Sequence, residues 1–192
     1  MTVPTCSNAR RNADDPKNEF LKEMNGLGGG KVELYSADLV TPGAYDDACA
    51  DAQAVIHAAA QVDPFVVVDP IKDMVEPSTE GVRNILSSVN ACPNVKHFVQ
   101  TSSMAAVGGH PGRPANETDF NTQGMDGWEE APALACKAHN QPFAACGLGS
   151  ILMRECGVIT DNFAKSEGER TVWAETEGKP YTVSAINPSM VW

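Results

Sequence analysis

Three short apolar runs, set far apart and separated by helix-like stretches, constrain this chain more than any other feature. Ala54-Val-Ile-His-Ala-Ala59 is continuously apolar, as a strand buried on both faces should be. Residues 95–101, VKHFVQT, and 181–186, YTVSAI, read the same way. Between the first two lies a helical pattern over 71–91, with Ile71, Met74, Val75, Val82, Ile85, Leu86 and Val89 at its apolar positions. Pro77 predicts a kink or break near Glu76. A second amphipathic helix is expected over 163–177. Upstream, Phe20, Leu21 and Met24 give 16–25 a helical period with Pro16 near its start. Gly26-Leu-Gly-Gly-Gly30 stops it, KVELYS at 31–36 alternates as a strand, and 44–52 reads as a short helix. Residues 1–15 read as polar and irregular. Residues 108–160, rich in Gly, Pro, Asn, Ala and Cys, show no strong period and read as a variable loop or insert. Strands alternating with helices predict an α/β fold: a doubly wound parallel sheet with helices on both faces.

Charge narrows the partners. With 14 basic against 25 acidic residues the formal net charge is −11, which repels phosphate backbones and anionic head groups. The one dense basic group, Arg10-Arg11, is too small for a nucleic-acid patch, so neither nucleic acid nor a membrane is expected. No apolar run approaches the roughly 18 residues of a membrane span. The first residues carry no apolar signal region, which makes the cytoplasm the expected compartment. Cysteines at 6, 49, 92, 136, 146 and 156 lack the paired spacing of a structural zinc site and are expected to be reduced, structural thiols. No metal is expected.

Four segments in order carry a resemblance: VIHAAA at 55–60, EPSTEGVRNILSS at 76–88, VKHFVQTSSMAAV at 95–107, and AKSEGERTVWAE at 164–175 running into VSAINPSMV at 183–191. Together they resemble the extended short-chain dehydrogenase/reductases, within the NAD-dependent epimerase/dehydratase superfamily. The nearest likeness is to dihydroflavonol reductase, cinnamoyl-CoA reductase and 3β-hydroxysteroid dehydrogenase-like enzymes. The resemblance implies a Rossmann-like domain and hydride transfer between NADP or NAD and a carbon bearing a hydroxyl or carbonyl. The substrate would be a small carbonyl or alcohol compound, and a homo-oligomer stays open.

Residue by residue, the resemblance places the family's catalytic Ser at Ser103 and its Lys at Lys165. Thr101 and Ser102 stand beside Ser103 at a strand end, where parallel sheets bind ligands. Asp38, with Leu39 next to it, matches a position near the adenine. His57, Ala58 and Ala59 match the segment passing the cofactor's phosphates and ribose. Asn187, Pro188 and Ser189 match the segment bordering the nicotinamide. Arg11, or Arg10, matches a basic residue for a 2′-phosphate, which favours NADP over NAD.

Two departures stand against that pattern. The family's proton-donating Tyr lies four residues before its Lys, and that position is Asp161 here. A carboxylate beside a lysine is held ionised and is a poor acid. If two residues were deleted, Phe163 would take the place, with no proton to give. The second departure is the phosphate loop. Nothing before residue 31 has the order strand, glycine turn, helix, because 26–30 follows a helix and precedes a strand. Gly147-Leu-Gly149 lacks the third small residue, since Leu152 stands there. The resemblance therefore implies one incomplete cofactor-binding domain over 1–192, without the family's first strand and helix and without its substrate lobe. The missing strand is central in the order 3-2-1-4-5-6, so either another segment fills its place or the chain folds poorly alone. The readings in competition are an oxidoreductase, a non-catalytic relative that binds a partner, and a nucleotide-sugar epimerase or dehydratase.

Overall fold

Backbone pairing sorts the chain into two parallel ladders. Strand β1 (Thr5–Arg10) pairs with β2 (Lys31–Ser36), in register from Thr5↔Lys31 to Arg10↔Ser36. Strands β3 (Ala54–His57), β4 (His97–Thr101) and β5 (Thr182–Ile186) form the second sheet in that order, with Val55, Phe98 and Val183 side by side. The computed structural model describes residues 5–25, 30–60, 71–107, 112–114, 116, 118–121 and 149–188, and over 5, 6, 8 and 149–162 it gives the backbone alone. The expected α/β fold with parallel strands is what it shows.

The helices follow from local chemistry. Asp15 accepts a hydrogen bond from the Lys17 N–H at 2.9 Å, and Pro16 supplies the fixed φ that opens the 3-10 turn Pro16–Asn18. That turn runs into helix α1 (Glu19–Glu23). Helix α2 (Asp46–Cys49) links the two ladders. A wide π turn, Ile71–Val75, then gives way to α3 (Glu76–Ala91), so the break expected near Glu76 falls at the junction and Pro77 sits in the first turn. Helix α4 (Met104–Val107) follows β4, and α5 (Gly149–Thr176) precedes β5.

The main core lies between α3, α5 and one face of the second sheet. Val82, Ile85, Leu86 and Val89 of α3 and Val172 of α5 close over Phe98, which is 0% exposed, with Val55 and Val183 on either side of it. Burying side chains of this size contributes about 1.5–3 kcal/mol each. Ala9 of β1 packs on the same core, as do Ala37, Tyr45 and Cys49 around α2. Cys49 and Cys92 are buried and unbridged, and burial, with Cys92 nearby, pushes the Cys49 thiol up to about 11.

Three expectations are corrected. Residues 5–10 form β1 rather than an irregular stretch. TCSNAR carries no apolar alternation, so pairing with β2 makes the strand where side-chain pattern gives no sign of it. Neither the run 54–59, whose strand ends at His57, nor the run 181–186, where Thr182, Ser184 and Ile186 are exposed, is buried on both faces. Ile56 is 71% exposed, because the sheet face opposite α3 is bare there among the described residues. The last helix begins at Gly149, well ahead of residue 163, inside the stretch read as loop. Most of the remaining 108–160 stretch, with Gly147 and Leu148, lies outside the described residues, as do Gly26–Gly29.

The loop after β2 meets α3 closely. A Cβ on Gly81 would lie 2.4 Å from Leu39 Cγ, closer than packed carbon atoms approach. Gly81→Ala is therefore expected to cost about 1–3 kcal/mol, measured by urea denaturation. Adding Leu39→Ala should recover part of the loss.

Candidate functional site

Because β1–β5 run parallel, their carboxyl ends lie on one side of each sheet, and the sequence candidates gather there. Arg11 follows β1 and Asp38 follows β2. Their side chains pair, Arg11 Nε to Asp38 Oδ2, at 3.4 Å with both partly exposed. Asp38 also accepts from the Val40 N–H at 3.1 Å, which fixes the turn carrying Leu39. Asn84 of α3 donates to the Leu39 and Thr41 carbonyls at 3.1 and 2.5 Å, holding that turn against the helix.

The second group stands at the ends of β3, β4 and β5. His57 ends β3 with its ring buried at 4% exposure, while Ala58 and Ala59 follow in the open. Beyond β4 the ladder continues as loop: the Ser102 N–H donates to the Ile186 carbonyl at 2.8 Å, and the Met104 N–H to the Pro188 carbonyl at 3.1 Å. These two bonds bind Thr101-Ser-Ser103 to Asn187-Pro188. Ser103 Oγ accepts from the Ala105 N–H at 3.1 Å and so caps α4 while its own hydroxyl proton stays available. Ser102 Oγ and Gln100 Oε1 are buried and have no hydrogen-bond partner among the described residues.

Helix α5 reaches this group through Ser166, whose hydroxyl is buried and donates to the Ala106 carbonyl at 2.9 Å. Lys165 is the preceding residue, half-buried, and its charge reaches His57. Burial first, and the Lys165 charge second, push the His57 imidazole down to about 4. His57 is therefore neutral at pH 7. Asp161 lies in α5 one turn ahead of Lys165, with its side chain outside the described residues, and Ser189 lies outside them entirely.

Sequence reading missed Glu169. At i+4 from Lys165 it reads as the partner of a solvated lysine. The structure buries it to 7% exposure and spends its carboxylate elsewhere. Asn187 Nδ2 donates to Glu169 Oε2 at 3.1 Å, and Trp173 Nε1 to Oε1 at 3.4 Å. No ion pair joins Glu169 to Lys165 among the described residues. The signal that points to it is Trp173, again at i+4, which marks this stripe of α5 as facing protein. The side-chain contacts within the 108–160 stretch were also missed. Asp119 is buried and takes a two-pronged ion pair from Arg113 at 2.6 and 2.7 Å, while Arg170 lies over the Phe120 ring at 4.9 Å.

These groups fit parts of a dinucleotide. The charged pair Arg11–Asp38 would suit the polar edge of an adenosine, the exposed Ala58 and Ala59 would let a ligand approach the backbone, and Ser103 and Asn187 stand on two loops bonded to each other. For the pyrophosphate, no strand–glycine turn–helix stands among the described residues. No cluster of three metal-ligating side chains occurs among them either, and no helix there is long and apolar enough to cross a membrane.

Comparison with known proteins follows the same lines. The profile of the NAD dependent epimerase/dehydratase family matches residues 4–125. Cinnamoyl-CoA reductase 1 of Petunia hybrida is 36% identical over 94% of this chain and 45% of its own length. Anthocyanidin reductase of Arabidopsis thaliana is 34% identical over 48% of this chain and 28% of its own. The chain thus spans less than half of these relatives' lengths. In fold it is similar to Gre2 from Candida albicans, solved in complex with NADPH, with a TM-score of 0.68 at 21% identity over 96% of this chain and 50% of that one.

The buried, neutral His57 makes a measurable demand. Its pKa is about 6.5 when unfolded and about 4 when folded. Between those values the unfolded chain binds the extra proton, so stability falls as pH drops from 6.5 to 4 and levels off below. A loss of up to about 3 kcal/mol is expected from this group. Denaturation at a series of pH values should show it, and His57→Asn should remove that slope.

Proposed function

The chain belongs to the NAD dependent epimerase/dehydratase family, and on that premise we propose that it forms part of an NADP- or NAD-dependent oxidoreductase acting on a CH–OH or C=O group. The observation that supports the reading is the tie between the Ser103 loop and Asn187-Pro188 through the 102–104 to 186–188 backbone bonds, with Lys165 next in sequence to Ser166, which bonds the Ala106 carbonyl just past that loop. A bound nicotinamide would supply or accept the hydride. Ser103 would donate a hydrogen bond to the substrate oxygen and so polarise it. Lys165 would bring positive charge to the same place and hold the ribose, and the neutral His57 beneath would leave that charge undiminished. Arg11, paired with Asp38, favours NADP through a 2′-phosphate. Ser102, with its buried hydroxyl unpartnered, is proposed to bind cofactor with Thr101, as are Asp38, Leu39, Ala58, Ala59 and Ser189.

The domain is read as a single cofactor-binding unit over 1–192 with a variable insert at 108–160, incomplete in its first strand and substrate lobe. A cytoplasmic location, a small carbonyl or alcohol substrate and no nucleic-acid partner belong to the same proposal.

A second reading is favoured by one residue. Asp161 stands where the proton donor is expected, and general acid catalysis is worth about 10²–10⁴ in rate. This chain would then keep the fold and bind a partner without turnover.

Amide chemical-shift mapping with NADPH separates the proposal from its failure. Weak binding, with a Kd above about 100 µM because no phosphate loop stands among the described residues, is expected to move Arg11, Asp38, Ala58, Ser103 and Asn187 together. Shifts scattered elsewhere, or none at millimolar NADPH, would sink it. Asp161→Tyr alone is expected to leave NADPH oxidation with ketones undetectable. Turnover restored by that one change would show a cofactor site already competent.

A further inference from the structure

We propose that Glu169 is a positioning residue that fixes which end of the Asn187 side-chain amide is turned to a ligand. Asn187 thereby presents its carbonyl oxygen and selects a hydrogen-bond donor, the carboxamide N–H of a nicotinamide. The inference rests on the cofactor reading for its ligand, and on three side chains for the rest. Glu169 lies on the stripe of α5 that faces protein, between the buried Ser166 and Val172, which is 0% exposed. Strand alternation, carried one residue past β5, puts Val183 and Asn187 on one face of the second sheet, and Val183 packs on the core there. Asn187 meets α5 on that face, where its Nδ2 donates to Glu169 Oε2 at 3.1 Å. The other carboxylate oxygen accepts from Trp173 Nε1 at 3.4 Å.

The backbone around Asn187 is held by other bonds. The Ile186 carbonyl accepts from the Ser102 N–H at 2.8 Å, and the Pro188 carbonyl from the Met104 N–H at 3.1 Å. What is left to decide is the last torsion of the side chain. Its two states fill the same space and differ only in whether oxygen or N–H2 faces Glu169. A carboxylate accepts hydrogen bonds and donates none, and an indole N–H donates and accepts none. Only the N–H2 end of Asn187 can therefore bond to Glu169, and Oδ1 is turned away from it. Asn187 is half-buried, and its Oδ1 has no hydrogen-bond partner among the described residues. The amide so held lies next to the backbone bonds that tie this segment to the Ser103 loop.

The residue type at 169 follows from this. Glutamine has the same shape but carries one acceptor and one donor. It satisfies both neighbours only with Asn187 turned over, its oxygen on the Trp173 N–H and its N–H2 on Asn187 Oδ1. Asn187 would then show a ligand N–H2 in place of oxygen. A glutamate here thus sets the polarity of the hydrogen bond that Asn187 offers. On the cofactor reading, the group that meets Asn187 is the primary amide of the nicotinamide. Its N–H2 needs an acceptor, and a ligand without that group leaves Oδ1 unpaired.

The test uses the full chain with NADPH and its 3-acetylpyridine analogue, in which a methyl group replaces the amide nitrogen. Two donors on one carboxylate lie close together. In the free chain, an Nδ2 proton of Asn187 should therefore show a nuclear Overhauser contact to the Trp173 indole N–H proton. Chemical-shift titration is expected to favour NADPH over the analogue by about 5-fold, the worth of one hydrogen bond. Glu169→Gln should bring the two ligands within about 2-fold of each other, as should Asn187→Ala. Trp173→Phe removes the other donor, leaves Asn187 bound, and should keep the wild-type preference. A merely structural role for Glu169 would weaken both ligands alike and leave the preference standing. The proposal is overturned by absence of the proton contact in the free chain, by a preference retained in Glu169→Gln, or by one lost in Trp173→Phe. Equal binding of the two ligands to the wild type, at the residues named above, sinks this inference alone. Binding of neither ligand at millimolar concentration sinks the cofactor reading and this inference with it.

Discussion

Closure of α3 and α5 over Phe98 is the contact on which the rest of the molecule depends. It fixes β3, β4 and β5 side by side through Val55, Phe98 and Val183, and thereby sets the level at which all three strands end. That level sets where the Ser103 loop and Asn187-Pro188 lie side by side. Ser166 shows how directly packing becomes placement: one buried hydroxyl on the Ala106 carbonyl seats α5 on α4 and puts the neighbouring lysine beside the serine loop. The half of the chain around β1 and β2 has no such share in the ladder. It is carried by α2 and the turn after β2.

How much of this was legible beforehand depended on which force shapes each part. Helix α3 and strands β4 and β5 were readable because apolar side chains at fixed spacing decide them. The break at Pro77 was readable because a missing N–H acts locally. Strand β1 was not, since TCSNAR owes its shape to backbone pairing with a partner some 25 residues on. The exposure of Ile56 was not either, because an apolar run says that a strand wants two covered faces and not whether both covers are present. Among the site residues, the places of Ser103, Lys165, His57, Asp38 and Asn187 at strand ends or beside them were legible through motif order. Glu169 was hidden by its own chemistry, since a glutamate four residues from a lysine looks solvated until Trp173 and Asn187 are seen to claim it.

The charge of Lys165 shapes the site's electrostatics. Lys165 has no ion pair among the described residues, the nearest histidine is held neutral by burial, and the carboxylate one turn on is committed to Asn187 and Trp173. The same commitment gives Glu169 a positional duty: it tethers the segment after β5, which the Met104–Pro188 backbone bond holds from the other side.

The hydrogen bonds that join α3 to the loop after β2 carry a consequence for how the molecule comes apart. Ser88 donates to Asp46 at 2.5 Å, Asn84 grips the Leu39 and Thr41 carbonyls, and Cys92 Sγ reaches the Ala50 carbonyl at 3.3 Å. These side-chain latches, with the contacts of Ala37 and Tyr45, do the work that a continuous strand ladder does in an unbroken sheet. Each latch is a single side-chain contact rather than a rung of a ladder. The β1–β2 part is therefore expected to be released at a lower free energy than the sheet around Phe98. Native-state exchange would then follow two free energies in one small chain, with the boundary between them at the loop that carries Asp38.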